Sequence, residues 1–210
     1  VRRVHVDNWD YSGVIPTSPW RGAQSIPWEM ALRTVDGRIR LTSWPVNSVT
    51  SLRQKRPSTA AGVTVKNTSK TLIGPAAQGK ALDIEATFSP KDADRFGLKV
   101  RTGAGGEETV IGYDTTTQEL YVDRTHSGAV DFNSTFPGVQ TAPLKAKNGK
   151  VKLRILVDWS SVEVFGGSGE AVITDQIFPD PSSQGVQIFA ENGSVKLDQA
   201  RVWHLDSYRD

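Results

Sequence analysis

The 210-residue chain has no cysteine, a single methionine and three histidines. Without thiols it can have no disulfide framework, no thiol nucleophile and no cysteine-based metal site. His5, His126 and His204 lie far apart in sequence and show no metal-ligand spacing. No metal and no cofactor is therefore expected. No apolar run approaches the ~18 residues of a membrane span, and no signal peptide opens the chain, so no membrane partner is expected. A formal net charge of +2 is too small to argue for a nucleic-acid partner. The only basic cluster, RQKR at 53–56, reads as a solvated loop. A G-x-S-x-G nucleophile elbow is missing, and Gly103 to Gly106 lacks the strand–loop–helix context of a phosphate cradle. The chain opens VRRVHV without an initiating Met, which reads as the middle of a larger protein.

Long windows of 3.6-residue periodicity are also missing; Trp28 to Arg33 (WEMALR) is the one stretch suggesting a short turn of helix. What the chain has instead is alternation. The runs 81–88, 95–101, 151–157, 161–165, 185–189 and 194–198 each place apolar residues on one side of a strand and polar ones on the other. Turn residues punctuate them at Ser89-Pro90, Gly103–Gly106, Asn148-Gly149, Gly166-Gly167 and Asn192-Gly193. The pattern predicts an all-β chain whose residues 62–210 form a two-sheet antiparallel β-sandwich. Residues 42–61 read as a linker. Ahead of it, residues 1–41 hold Trp9, Trp20 and Trp28 among prolines, with Trp44 just beyond. Such density suits a tightly packed junction better than a sugar-stacking surface, because Trp is mostly used for buried area.

Four carboxylates sit close together in DWSSVEVFGGSGEAVITDQIFP: Asp158, Glu163, Glu170 and Asp175. Paired carboxylates are what glycoside hydrolysis requires. Here, however, Asp158 precedes a turn, Glu170 follows a hairpin tip, and alternation points Glu163 away from Val162 and Val164. Nothing in the spacing makes two of them converge, so they read as surface and turn residues.

Ordered motifs carry a more specific signal. Asn8-Trp-Asp-Tyr11, Pro16-Thr-Ser-Pro-Trp-Arg-Gly22, Ser25-Ile-Pro-Trp-Glu-Met-Ala-Leu32 and RLTSWPVNSVTSL resemble the end of the catalytic propeller of glycoside hydrolase family 32. Phe96 to Arg101, Leu120 to Thr125, Ser160 to Phe165 and Val172 to Asp175 are similar to its C-terminal sandwich, with the bacterial levanases and exo-inulinases nearest. That resemblance implies the last-blade remnant of a five-bladed β-propeller followed by the sandwich. It also implies a secreted bacterial enzyme that hydrolyses β-fructosyl linkages with retention, acting on a fructan or fructo-oligosaccharide. The partner it implies is the N-terminal propeller part of the same enzyme. The family's acids lie in W-M-N-D-P-N-G, R-D-P and E-C motifs, none of which occurs here. No catalytic residue is expected in this chain, which should be inactive alone.

By the same resemblance Trp9, with Asn8, is a candidate substrate contact. Two departures bear on it: no Gly-Trp-Met-like triplet precedes Asn8, and Trp28 stands where the family commonly has Arg. The alternative readings are a stand-alone carbohydrate-binding sandwich using Tyr113, Tyr121 and Trp159, or the same half of a fructosyltransferase.

Overall fold

The computed structural model describes residues 1–207 of the chain. Strand β1 (Trp28–Val35) pairs antiparallel with β2 (Arg38–Pro45), joined by Asp36-Gly37 with both residues at positive φ (50° and 74°). Two positive-φ residues in a two-residue loop match the twist of the flanking strands. That turn chemistry overrides the helical reading of WEMALR, which is strand. Within 42–61, the expected linker, the chain completes β2, makes a 3-10 segment at Asn47–Leu52, and begins β3 (Ser58–Thr71) at Ser58.

From there the chain is a series of antiparallel strands: β4 (Leu82–Pro90), β5 (Arg95–Thr102), β6 (Glu108–Asp114), β7 (Glu119–His126), β8 (Val139–Pro143), β9 (Val151–Val157), β10 (Ser161–Gly166), β11 (Ala171–Gln176) and β12 (Gly185–His204). Pairing runs β11-β10-β9-β4-β12-β5-β6-β7-β8, and β3 lies along β12. β12 belongs to both halves of the sandwich. Its residues 185–191 pair with β5, and residues 195–204 pair with β4. Asn192-Gly193, expected to be a turn between two strands, is instead a bulge at which one long strand changes sheet. Both residues have positive φ, and the register with β3 shifts between Ala190 and Ser194. Close approach fixes the glycine, since a Cβ on Gly193 would meet the backbone of Asp92 and Ala93.

The alternating residues do form the core. Ile84, Phe88, Phe96, Leu98, Ile111, Leu120, Val122, Ile155, Val162 and Val164 are buried between the two sheets. At ~25 cal/mol per Å² of apolar surface, this central layer is the main source of stability. A second apolar cluster lies on the other side of β9 and β10, where Leu156 and Phe165 meet Trp28 and Val49. A third joins Tyr11 and Ile15 to Phe136. Residues 1–53 are therefore packed partly on the outer face of β9 and β10 and partly on the segment between β7 and β8. Among the described residues no helix is long and apolar enough to cross a membrane.

Candidate functional site

Two of the four carboxylate residues are buried, which corrects their reading as surface and turn groups. Glu163 and Asp175 are each only 4% exposed. Register explains Glu163: on β10 it shares a face with Phe165, and that face is covered by the leader rather than by water. Oε1 accepts the backbone N–H of Ile26 at 2.8 Å, and Oε2 accepts the indole N–H of Trp28 at 2.9 Å. Burial raises Glu163 to about 7, against the pull of these two donors. Trp28 and Trp44 both pack edge-on against Phe165, at centroid distances of 5.8 and 5.9 Å. Trp28 and Trp44 are thus the packed junction that the Trp-rich leader suggested.

Asp175 lies on the opposite face of its strand. Arg124 of β7 contacts Asp175 Oδ1 at 3.2 Å and donates from Nη2 to the Tyr11 hydroxyl at 3.2 Å. The Arg124 guanidinium also stacks over Phe136 at 4.2 Å. Burial raises Asp175 to about 6, with Arg124 opposing. The remaining pair sit at turns as expected, although the Glu170 side chain is itself covered, at 4% exposed. Asp158 Oδ1 accepts the Trp159 N–H at 2.8 Å, and Glu170 pairs with Lys147 at the β10–β11 hairpin tip. That tip is docked on the leader, because the Ser43 N–H donates to the Gly169 carbonyl at 3.0 Å.

Arg53 is not in a solvated loop. Its guanidinium donates to Asp83 at 2.8 Å and to Glu85 at 2.6 Å, and stacks on Trp203 at 3.8 Å. Arg154 donates to the same buried Asp83 at 3.1 and 2.8 Å. The two arginines sharing one carboxylate clamp the chain entering β3 to the sheet.

Trp9 and Asn8 occupy one exposed turn. The Asn8 carbonyl accepts the N–H groups of Tyr11 and Ser12, and its side chain accepts that of Asp10. Tyr11, buried under Phe136 and bonded to Arg124, pins the turn and leaves Trp9 96% exposed. Of the residues singled out for a stand-alone module, Tyr113 is buried in the core and Tyr121 lies half-buried over Gly112. Only Trp159 is exposed, with Lys80 Nζ 4.2 Å from its ring centre. Among the described residues no cluster of His, Asp and Glu could hold a metal ion.

One concavity separates the β1–β2 hairpin from the outer face of β4, β9 and β12. It has a volume of about 610 Å³ and reaches from Trp44 to Ser168 and Arg201. Sequence reasoning missed it, as it missed the burial of Glu163. The run Ile155-Leu156-Val157 was the available signal: consecutive apolar residues on a strand mean that both faces are covered.

Comparison with known proteins is consistent throughout. The family description "Glycosyl hydrolases family 32 C terminal" matches residues 48–204. A levanase of Bacillus subtilis (strain 168) is 45% identical over 210 residues, covering 95% of this chain and 30% of that protein. An extracellular exo-inulinase of Aspergillus awamori is 38% identical, covering 97% of this chain and 39% of its own length. The crystal structure of an exo-inulinase from Aspergillus awamori superposes with a TM-score of 0.89 at 36% identity, over 98% of this chain and 40% of that one. Fructan 1-exohydrolase IIa from Cichorium intybus shares the fold alone, with a TM-score of 0.75 at 19% identity. The chain spans 30% and 39% of the length of these two curated relatives.

Proposed function

Because the chain belongs to glycosyl hydrolase family 32, in the C-terminal region of that family, we propose that it is the C-terminal portion of a secreted, fructan-degrading β-fructosidase. The sandwich braces the propeller that holds the catalytic acids, and residues 1–41 are the end of that propeller. The observation that carries this reading is the seam between residues 1–53 and the sandwich. Glu163 holds Ile26 and Trp28, Arg124 holds Tyr11, and Arg53 is shared between Asp83 and Glu85. These staples use buried polar groups to orient residues 1–53 on the sandwich, as a brace must. Relatives named levanase and extracellular exo-inulinase supply the substrate class and the secreted setting.

Retaining hydrolysis requires a nucleophile and an acid/base about 5–5.5 Å apart. The four carboxylates of 158–179 are engaged in structure: Glu163 and Asp175 in hydrogen bonds and an ion pair, and Asp158 and Glu170 in turns. The reacting acids therefore belong to the propeller part. Trp9, with Asn8 beside it, is offered as a sugar contact by stacking and hydrogen bonding.

Fructose release from levan and inulin is the test. The complete enzyme encoded with this segment should cleave at least one of them, and the 210-residue chain alone should cleave neither. Activity in the purified chain would overturn the assignment, as would a complete enzyme inert on both polymers. Trp9→Ala in the complete enzyme should raise KM more than it lowers kcat, since it removes a binding surface rather than a reacting group.

A further inference from the structure

Two Asn-Gly pairs lie in the chain, and the fold treats them differently. Asn148-Gly149 is the exposed loop between Lys147 and Lys150, which exchange backbone hydrogen bonds at 2.9 and 3.0 Å. Asn192-Gly193 is the bulge in β12. The asparagines have nearly the same backbone, at φ 52° and 50°, and both are exposed. The nitrogens that follow them differ. Gly149 is exposed, its N–H meets no acceptor among the described residues, and nothing lies within 4 Å of where a Cβ would stand. Gly193 is buried: its N–H donates to Asn67 Oδ1 at 2.6 Å, and the Asp92–Ala93 backbone closes against it.

We propose that Asn148 is a site of spontaneous deamidation in the folded protein, and that Asn192, in the same dipeptide, is protected by the fold. The Gly149 nitrogen attacks Asn148 Cγ and closes a cyclic imide. The Cγ–Nδ2 bond breaks, and its nitrogen leaves as ammonia carrying the Gly149 amide proton. Water, the one co-reactant, then opens the ring at either carbonyl. Opening at Cγ gives aspartate, opening at the main-chain carbonyl gives isoaspartate, and nothing is oxidised or reduced. Glycine puts no side chain in the path of the attack. At Asn192 the same attack requires the Gly193 N–H to give up Asn67 and the bulge to part from Asp92, which should slow it about ten-fold or more. The product at 148 is a new carboxylate between Lys147 and Lys150, which already pair with Glu170 and Asp198. In the isoaspartate form the main chain runs through Cγ and is one atom longer, which strains the Lys147–Lys150 pairing.

Incubation of the 210-residue chain at mildly alkaline pH, followed by ion exchange and by peptide mapping with mass spectrometry, tests the proposal. An acidic species is expected, converted from amide to acid at Asn148, divided between aspartate and isoaspartate, and about ten-fold or more ahead of conversion at Asn192. In concentrated urea the two sites should convert at similar rates, because the fold and not the dipeptide makes the difference. Asn148→Gln should lack the acidic species. Equal rates at the two sites in the folded chain would overturn the proposal, as would an intact Asn148. A gap that persists in urea, or an acidic species that persists in Asn148→Gln, would overturn it too.

Discussion

Glu163 shows what a buried carboxylate does when it is used for assembly. Two donors from the leader satisfy its oxygens, while burial works against its charge. Between its ordinary value of 4.5 and the raised value of about 7, the folded chain retains a proton that the unfolded chain has released. The stability this group contributes is therefore full below the ordinary carboxylate range and is lost as pH rises toward 7. Asp175, raised to about 6, adds a component of the same sign over a lower window. Glu163→Gln is neutral at every pH, so its denaturation free energy should fall less between pH 5 and pH 8 than wild type, by about 2–3 kcal/mol. An equal loss of denaturation free energy between the two pH values in variant and wild type, read from urea midpoints, would refute this. At the other staple, Tyr11→Phe deletes the acceptor for Arg124 Nη2. Stranding a buried donor on a charged group should cost about 1–3 kcal/mol, readable as a lower urea midpoint.

Among the elements, the hairpin tip between β10 and β11 is where the sandwich grips the leader. Gly169 sits at φ 90°, and a Cβ there would run into the Ser43 carbonyl oxygen of β2. Gly169→Ala should thus cost about 2 kcal/mol or more by strain and by loosening the hairpin contact. A thermal midpoint equal to wild type would show that the tip is free to move away. The strands themselves were legible wherever one face meets the core, as in Val162 and Val164, because alternation reports a single wet face. Legibility failed where both faces are covered: Glu163 and Asp175 were read as wet. It failed again at β1, where the Asp36-Gly37 turn outweighs the helical composition of WEMALR, and at Asn192-Gly193, which bends a strand without reversing it. The groove was illegible for a different reason. Glu29 and Lys152 are far apart in sequence, and only the packing of hairpin on sheet brings them to one cavity.

At the scale of the whole molecule, the outer face of β9 and β10 is a surface designed to be covered. A fragment starting at residue 46 would bare Leu156, Phe165 and Val172 and leave Glu163 without its two donors. It should bind a hydrophobic dye and self-associate at concentrations where the full chain does not; a monomeric fragment with no dye binding would show that the leader is dispensable. The β1–β2 hairpin presents a second such surface, since Leu32 and Ile39 are 73% and 76% exposed on its far side. The proposed propeller would cover it.

The sheet-switching strand also sets an order of events during synthesis. β12 joins the two halves of the sandwich, and it follows every other sandwich strand on the chain. A ribosome making this protein must release residues 185–204 before β4 and β5 can find their shared neighbour. Until then β4–β9–β10–β11 and β5–β6–β7–β8 are two separate ribbons, each with an unpaired inner edge. The leader precedes both ribbons on the chain, so residues 1–53 are made before the face of β9 and β10 that they cover.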